Sequence, residues 1–445
     1  MWRSILDRRK YWQFALVMLL TTALTAGTVT WWPQATVAQP NFCPKGVGLR
    51  PKAVAANARV VEVTKELGIA RTGPHDDCER VTPLPRGTRA RITSRATGPD
   101  RYKKVVPWSQ LDYGAWIESS ELNAISGSVP AQSRLEAVST QVLPETTEIS
   151  FPLSSPTPIE IQQGDRTLSL TFHNTAAAIK QLTNAGKQQN WKASQNVAFS
   201  NPVITQGSWR QISPNKVKFD FQLKPRQQWG YQTRYTGNNL VLSLRQPPKL
   251  AGNIPQPLKG IKILVDPGHG AVDSGAVGSA YGKTYQEKIL NISFSQILQR
   301  ELQSKGAIVT MTRTTDINPS LDDRHNMINS SSPVLAISIH HDASTPGRSR
   351  GASIYWYQPQ SKNLAASLLS TFSKKGNRPI LNNNGVIQKS FAVVRPSGAP
   401  SVLLEVGFMT DPQEVTELAK PATQPRLAKV LTDGITQWVV SQAAA

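Results

Sequence analysis

Ile261-Lys262-Ile263-Leu264-Val265 runs directly into Asp266-Pro267-Gly268-His269-Gly270. An apolar run of this length closed by Pro and Gly predicts a buried strand that ends in a tight turn, the style of an α/β domain. Open α/β sheets bind their ligands beyond the carboxyl ends of their strands. Glycine on each side of His269 lets the backbone bend sharply and leaves the imidazole uncrowded. A lone turn histidine is usually a plain surface residue, so its weight depends on what the downstream sequence brings to it.

Three further stations follow in order. From Tyr285 to Lys305, Leu290, Phe294, Ile297 and Leu298 form one apolar stripe at helical spacing, and Glu287 sits on that same face in the first turn. A carboxylate directed at a core or cleft is costly unless it is paired or metal-bound, although a carboxylate is also an ordinary partner for a helix N-terminus. The strand Val334-Leu335-Ala336-Ile337-Ser338-Ile339 delivers His340-His341-Asp342 at its carboxyl end. Adjacent strand residues point to opposite faces, so at most one of His340 and His341 shares a cleft with His269. Last, Val402-Leu403-Leu404-Glu405-Val406-Gly407-Phe408 is an apolar strand interrupted by one carboxylate, which needs a functional or paired explanation.

Together the four stations resemble the zinc-dependent N-acetylmuramoyl-L-alanine amidases, from about Lys262 to Val440. Asp266 to Gly270 is similar to that family's DPGHG turn, Glu287-Lys288 to its glutamate at a helix start, Ser338-Ile339-His340 to its SIH strand end, and Leu404 to Phe408 to its closing glutamate strand. Met311-Thr312-Arg313, Leu321 to Arg324 and Phe391 to Arg395 also look alike. The resemblance implies one Zn²⁺ held by His269, Glu287 and His340, with Glu405 as the catalytic carboxylate. His341 stands where the family more often has a small residue and stays outside the ligand set. Asp342 is a candidate for orienting His340, and Arg395 a candidate partner for a substrate carboxylate. The implied reaction splits the amide between N-acetylmuramic acid and L-alanine of the peptidoglycan stem peptide. Only 65 positions separate His340 from Glu405, which resembles the short version of the fold without an activator-gated insertion and implies an open site. The rival readings are a zinc peptidase acting within the stem peptide and a wall-binding protein without activity. A Ser/His/Asp hydrolase through Ser274, His269 and Asp273 is disfavoured because no GxSxG elbow exists.

Upstream, the expected architecture is multidomain, with two small mainly-β domains preceding a C-terminal α/β catalytic domain. That last domain, 261–443, is expected to hold a twisted, mostly parallel sheet flanked by helices. Short β-type runs between Val60 and Leu122 predict a β domain over 43–123. Leu67 to Pro74, the turn Arg86-Gly87-Thr88 and Gly114 to Ile117 resemble a bacterial SH3-like domain, which implies binding to cell-wall peptides or glycans. Residues 124–157, rich in Ser, Thr, Pro and Gln, read as a linker. Alternating runs at 168–172, 216–221 and 240–244 predict a second β domain over 158–246, similar in position to a wall-targeting β-sandwich, and 247–260 reads as a second linker.

Arg3, Arg8, Arg9 and Lys10 precede an uncharged run from Phe14 to Trp32, so residues 1–38 read as a signal peptide or a retained membrane anchor, with Thr36-Val37-Ala38 as a cleavage site. Export places the chain in the periplasm or cell wall, where Cys43 and Cys78, the only cysteines, are expected to form a disulfide. The 445 residues carry 39 % hydrophobic and 18 % charged side chains, too apolar for a disordered chain. The net charge of +21 is uneven: 18 basic against 13 acidic residues from Ile261 onward, and 32 against 16 before it. No zinc-finger, RNP-type or basic-heptad pattern accompanies that excess, so nucleic acid is not the expected partner; a solvated basic surface is one reading, and attachment to an anionic wall polymer is the one the amidase resemblance implies.

Overall fold

Strands buried on both faces form the centre of the C-terminal domain. The computed structural model describes residues 43, 52–53, 60–76, 78–100, 102, 104–126, 132–251, 255–344, 350–376 and 385–443. The expected leader over 1–38 lies outside them; among the described residues no helix is long and apolar enough to cross a membrane. In chain order the C-terminal domain contains β1 (Lys262–Pro267), the hairpin β2 (Val277–Ala280) and β3 (Lys283–Gln286), α1 (Glu287–Ser304), β4 (Ile308–Met311), α2 (Leu321–Ser330) and β5 (Leu335–Asp342). It continues with β6 (Ser353–Trp356), α3 (Lys362–Gly376), β7 (Val386–Gln388), β8 (Ser401–Phe408), α4 (Pro412–Leu418) and α5 (Thr423–Ala443).

The main sheet has the order β4-β1-β5-β8-β6-β7. Its pairings are parallel except β6 with β8, which is antiparallel. On one face Ile263, Val265, Ile337, Ile339, Leu404 and Val406 pack against Leu290, Phe294, Leu298 and Leu302 of α1, with α3 and α5 in the same core. The other face carries Leu264, Ala336, Tyr355 and Leu403 under Ile328 of α2 and Val393-Val394. The apolar stripe of α1 thus fixes the rotation of the helix, and its first residue, Glu287, is turned inward with it. Gly306, at φ +90°, then lets the chain leave the helix and return into β4. Between β5 and β8, α3 buries Leu364, Leu368 and Phe372 in the core.

The linker expected over 124–157 is a correction: Ser133–Val142 and Thr146–Pro152 are strands. They belong to the second β domain, which therefore begins at 133 rather than 158. Ser, Thr and Gln fill the outward positions there, while Leu135, Val138, Ile149 and Phe151 point inward to a core shared with Phe172, Phe219 and Trp191. The pairing that makes Thr146–Pro152 a strand is with Asn239–Arg245, far along the chain. That domain has two sheets. The six-stranded one includes Thr175–Asn184, Ser133–Val142, Thr146–Pro152 and Asn239–Arg245; the five-stranded one includes Thr167–His173, Lys216–Leu223 and Ile204–Ser213. The first β domain runs Arg80–Pro85, Leu67–Arg71, Trp116–Glu118, Val105–Leu111, Arg89–Pro99, Val60–Val63 and Leu122–Ile125 across one sheet. Cys43 and Cys78 are joined by a disulfide at its edge.

Close contacts join the three cores. The Trp229 and Trp438 rings lie 5.3 Å apart, Tyr231 N–H donates to Ser397 O at 2.8 Å, and Gln232 Nε2 donates to Asn329 O at 2.7 Å. Gly230, at φ +111°, lies so near Gly398 that a Cβ would come 2.5 Å from its carbonyl. The first β domain reaches the C-terminal domain through the Arg80–Asp322 ion pair and a hydrogen bond from Tyr357 to Glu79. His325 of α2 faces this junction: Asn329 Nδ2 lies 3.1 Å from its Nε2 and Ala392 O lies 3.4 Å from its Nδ1, which assigns the neutral Nδ1–H tautomer. Burial first, then the positive charge of Arg80, pushes its pKa down to about 4. A histidine held neutral contributes stability that is complete above its unfolded pKa of about 6.5 and is lost as the pH falls toward 4, up to about 3 kcal/mol. Urea unfolding at pH 7 and pH 4.5 is expected to show that loss in the native sequence and a shallower one in His325→Gln; equal slopes would remove His325 from the acid response.

Candidate metal centre

Everything at this site hangs from the turn after β1. His269 has φ +61°, and Gly270 follows at φ +141°, so the chain doubles back and Gly270 N–H and Asp273 N–H exchange hydrogen bonds with each other's carbonyls at 3.0 and 2.9 Å. A Cβ on Gly268 would lie 2.2 Å from the His340 ring, and one on Gly275 would lie 2.5 Å from Glu287 Oε2 and 2.6 Å from His269 Cδ2. The glycines are there because the site occupies the space side chains would take.

Two buried arginines grip the turn from below. Arg324 donates to Asp266 Oδ1 at 2.5 Å, Pro267 O at 2.8 Å and His269 O at 2.9 Å. Arg313 donates to Pro267 O at 3.0 Å and Gly268 O at 2.9 Å. Asp266 is fully buried; burial opposes its charge, but Arg324 and then Ser338 and Thr312 hold its carboxyl below the usual range. The Met311 to Arg313 and Leu321 to Arg324 stretches that looked alike in sequence therefore supply the clamp.

His269, Glu287 and His340 come together with one donor atom each, all within 4.8 Å. Glu287 Oε2 lies 3.0 Å from His269 Nε2, and its Oε1 lies 2.9 Å from His340 Nδ1. Burial favours a neutral Glu287, yet hydrogen bonds from the two imidazoles and their charges hold its pKa far below the ordinary carboxylate range. Burial likewise opposes protonation of His269, but Glu287 and then Asp273 outweigh it and the net shift is upward. Two imidazoles and one carboxylate form a donor set suited to a catalytic zinc, and the glycine cradle keeps the volume between them clear of side chains.

Several supporting residues escaped the sequence reading. Asp273 Oδ2 holds His269 Nδ1 at 2.9 Å, the usual way a carboxylate fixes a ligating imidazole. An i,i+4 spacing inside a glycine turn was the available signal. Ala276 N–H, Asn291 Nδ2 and His341 N–H all donate to Glu287, at 2.8, 3.1 and 3.1 Å. The His341 side chain faces away from the cluster into the α1 side, where its Nδ1 meets Asn291 Oδ1 at 2.7 Å. Because Asn291 Nδ2 already serves Glu287 and Gly268 O, its oxygen is left for His341, whose Nδ1 carries the proton.

Glu405 pairs in register with His340 across β5 and β8, so the two side chains leave the same face of neighbouring strands. It is 9 % exposed, and its Oε2 has no hydrogen bond among the described residues. Burial, then the charges of Asp342 and Glu287, push its carboxyl well above the ordinary range, with Lys389 acting in the opposite sense. Asp342 accepts from the Ala343 N–H at 2.7 Å and not from a ligand imidazole; burial raises its pKa too. Arg395 donates to Ser390 Oγ and O at 2.8 and 2.9 Å and is not among the charges acting on Glu405. Ser274 Oγ donates to Gly275 O, so it is no nucleophile for His269.

Comparison with known proteins falls on this domain. Residues 263–437 match the sequence profile of the N-acetylmuramoyl-L-alanine amidase family, which bears out the resemblance read from the four stations. The chain is 35 % identical over 179 residues to the probable cell wall amidase LytH of Staphylococcus aureus, covering 40 % of this chain and 58 % of that relative. The match thus spans little more than half the relative's length. The N-acetylmuramoyl-L-alanine amidase from Clostridium difficile 630 aligns at 29 % identity and a TM-score of 0.38 over 41 % of this chain and 99 % of that one. The catalytic domain of CwlV from Bacillus (Paenibacillus) polymyxa var. colistinus aligns at 30 % identity and a TM-score of 0.38 over 40 % and 98 %.

Two substitutions test the construction. Arg324→Ala strands the buried Asp266 carboxylate and is expected to cost about 3–5 kcal/mol in denaturant unfolding at pH 7. Gly268→Ala is expected to weaken zinc uptake more than about tenfold in competition with a chromophoric chelator while the circular dichroism stays native, the order of loss usual when the groups that orient a metal ligand are disturbed. Native affinity in that variant would mean that the His340 ring swings aside freely.

Proposed function

We propose that this chain is an exported zinc-dependent amidase that hydrolyses the bond between the lactyl group of N-acetylmuramic acid and L-alanine of the stem peptide, in wall remodelling or daughter-cell separation. One observation carries the reading: two imidazoles at strand ends and a carboxylate at a helix start converge beside a buried carboxylate whose Oε2 has no hydrogen bond among the described residues, inside the segment that matches the amidase profile.

In this reading His269, Glu287 and His340 hold the ion, with Asp273 and Asn291 keeping the first two in place. Bound there, zinc supplies Lewis-acid polarisation of the scissile carbonyl and an acidified water. Glu405 takes the proton released as oxygen attacks the carbonyl carbon. It delivers that proton to the amide nitrogen as the C–N bond breaks, so that muramyl carboxylate and a free L-alanine amine leave. A buried carboxyl with raised proton affinity suits a shuttle that must both accept and return a proton near neutral pH. The two β domains serve as wall attachment in the periplasm or cell wall, supported by the basic excess before Ile261; that attachment weakens with salt.

Digestion of purified sacculi, with and without a chelator, followed by mass spectrometry of the soluble products, tests the reading. Stem peptides with a free L-alanine amine are expected, lost on chelation and restored by Zn²⁺. New amines within the peptide would mean a peptidase, and bound but uncut sacculi a wall-binding protein. Glu405→Gln is expected to lower kcat by about 10²–10⁴-fold while zinc content per chain stays native.

A further inference from the structure

An aromatic pair carrying a lysine stands on the same sheet face as Glu405. Ser353 of β6 lies opposite Glu405 of β8, and Tyr355 lies opposite Leu403. Residues two apart on a strand share a face, so the Tyr355 and Glu405 side chains leave one face of the sheet a single pleat from each other. The Phe391 ring packs edge-on against Tyr355, 5.1 Å between centroids. Lys389 is anchored by its own N–H to Trp356 O at 2.9 Å, and its Nζ sits 4.5 Å from the Phe391 centroid and 5.7 Å from that of Tyr355. Lys389 is exposed, and its ammonium rests over the two rings at the surface. It makes no ion pair among the described residues, although its charge acts on both Glu405 and Asp342.

We propose that Lys389, held by Tyr355 and Phe391, is a specificity-determining residue that pairs with a free carboxylate of the substrate peptide on the amine side of the scissile bond. This rests on the amidase reading. An exposed ammonium without an ion pair among the described residues, set one pleat along the sheet from Glu405, is open to a carboxylate of the substrate. Stem peptides carry free carboxylates, and in some walls these are amidated, so the same position distinguishes two substrate classes. Arg395, the cation favoured by sequence, is engaged with Ser390, and Lys389 is the cation whose charge acts on Glu405.

The test uses the full zinc-loaded chain and two soluble muropeptides that differ only in whether the carboxylate nearest the L-alanine is free or a carboxamide. The native protein is expected to prefer the free carboxylate by about tenfold or more in kcat/KM, chiefly through KM, with the preference falling as salt is raised. In Lys389→Gln that ratio is expected to collapse toward one, and Lys389→Arg to restore most of it. A native protein with no preference, or a Lys389→Gln that slows both substrates equally and keeps the ratio, overturns the proposal while leaving the amidase reading intact. Failure of the native chain to cut either compound removes both.

Discussion

Two guanidinium groups buried beneath the turn after β1 hold the His269–Glu287–His340 cluster in shape. Three consecutive carbonyls, those of Pro267, Gly268 and His269, accept from Arg313 or Arg324, and Arg324 is itself charge-paired with Asp266 in the sheet. A left-handed backbone at a non-glycine residue costs free energy, and His269 adopts it with its ring held by Asp273 and Glu287. The arginines offset that cost by satisfying carbonyls that the reversed chain directs inward, where water cannot reach them. From this follow the direction of the His269 ring, the approach of His340 past the bare Cα of Gly268, and the position to which Glu287 must be brought by α1.

Glu287 is the second fixed point, and it is held in an unusual abundance of donors. Its two oxygens receive three hydrogen bonds from Ala276, Asn291 and His341 besides facing both imidazoles. Such a carboxylate cannot rotate without abandoning buried donors, so the helix start, the end of β5 and the turn after β1 are registered on one side chain. Glu405 is the opposite case. It is buried, its Oε2 has no hydrogen bond among the described residues, and two carboxylates and one ammonium act on it, so it is not a group that holds the structure together.

The sequence displayed the groups of the candidate site better than those that place them. His269, Glu287, His340 and Glu405 stood out because each interrupts an apolar pattern at an element's end, where a polar side chain is hard to explain otherwise. Asp273 and Asn291 interrupt nothing: one lies in a polar loop, the other on a helix, and only the closing of the fold turns them toward the ligands. The strands at 133–142 and 146–152 were hidden for a related reason. Their inward residues are spaced correctly, but the outward ones have the composition of a linker, and their partner strand lies some ninety positions away. The exchange of Arg395 for Lys389 was not legible because it depends on how β6 and β7 pair and on which side Phe391 leaves the chain.

The packing of Gly230 on Gly398, and of Trp229 on Trp438, bears on mechanics. The sandwich and the catalytic sheet meet backbone to backbone, and not only through the stretch of chain that joins them. A pull on either domain is therefore carried to the other by packed backbone as well as by the connecting chain. A flexible linker alone would have absorbed the same pull as extension.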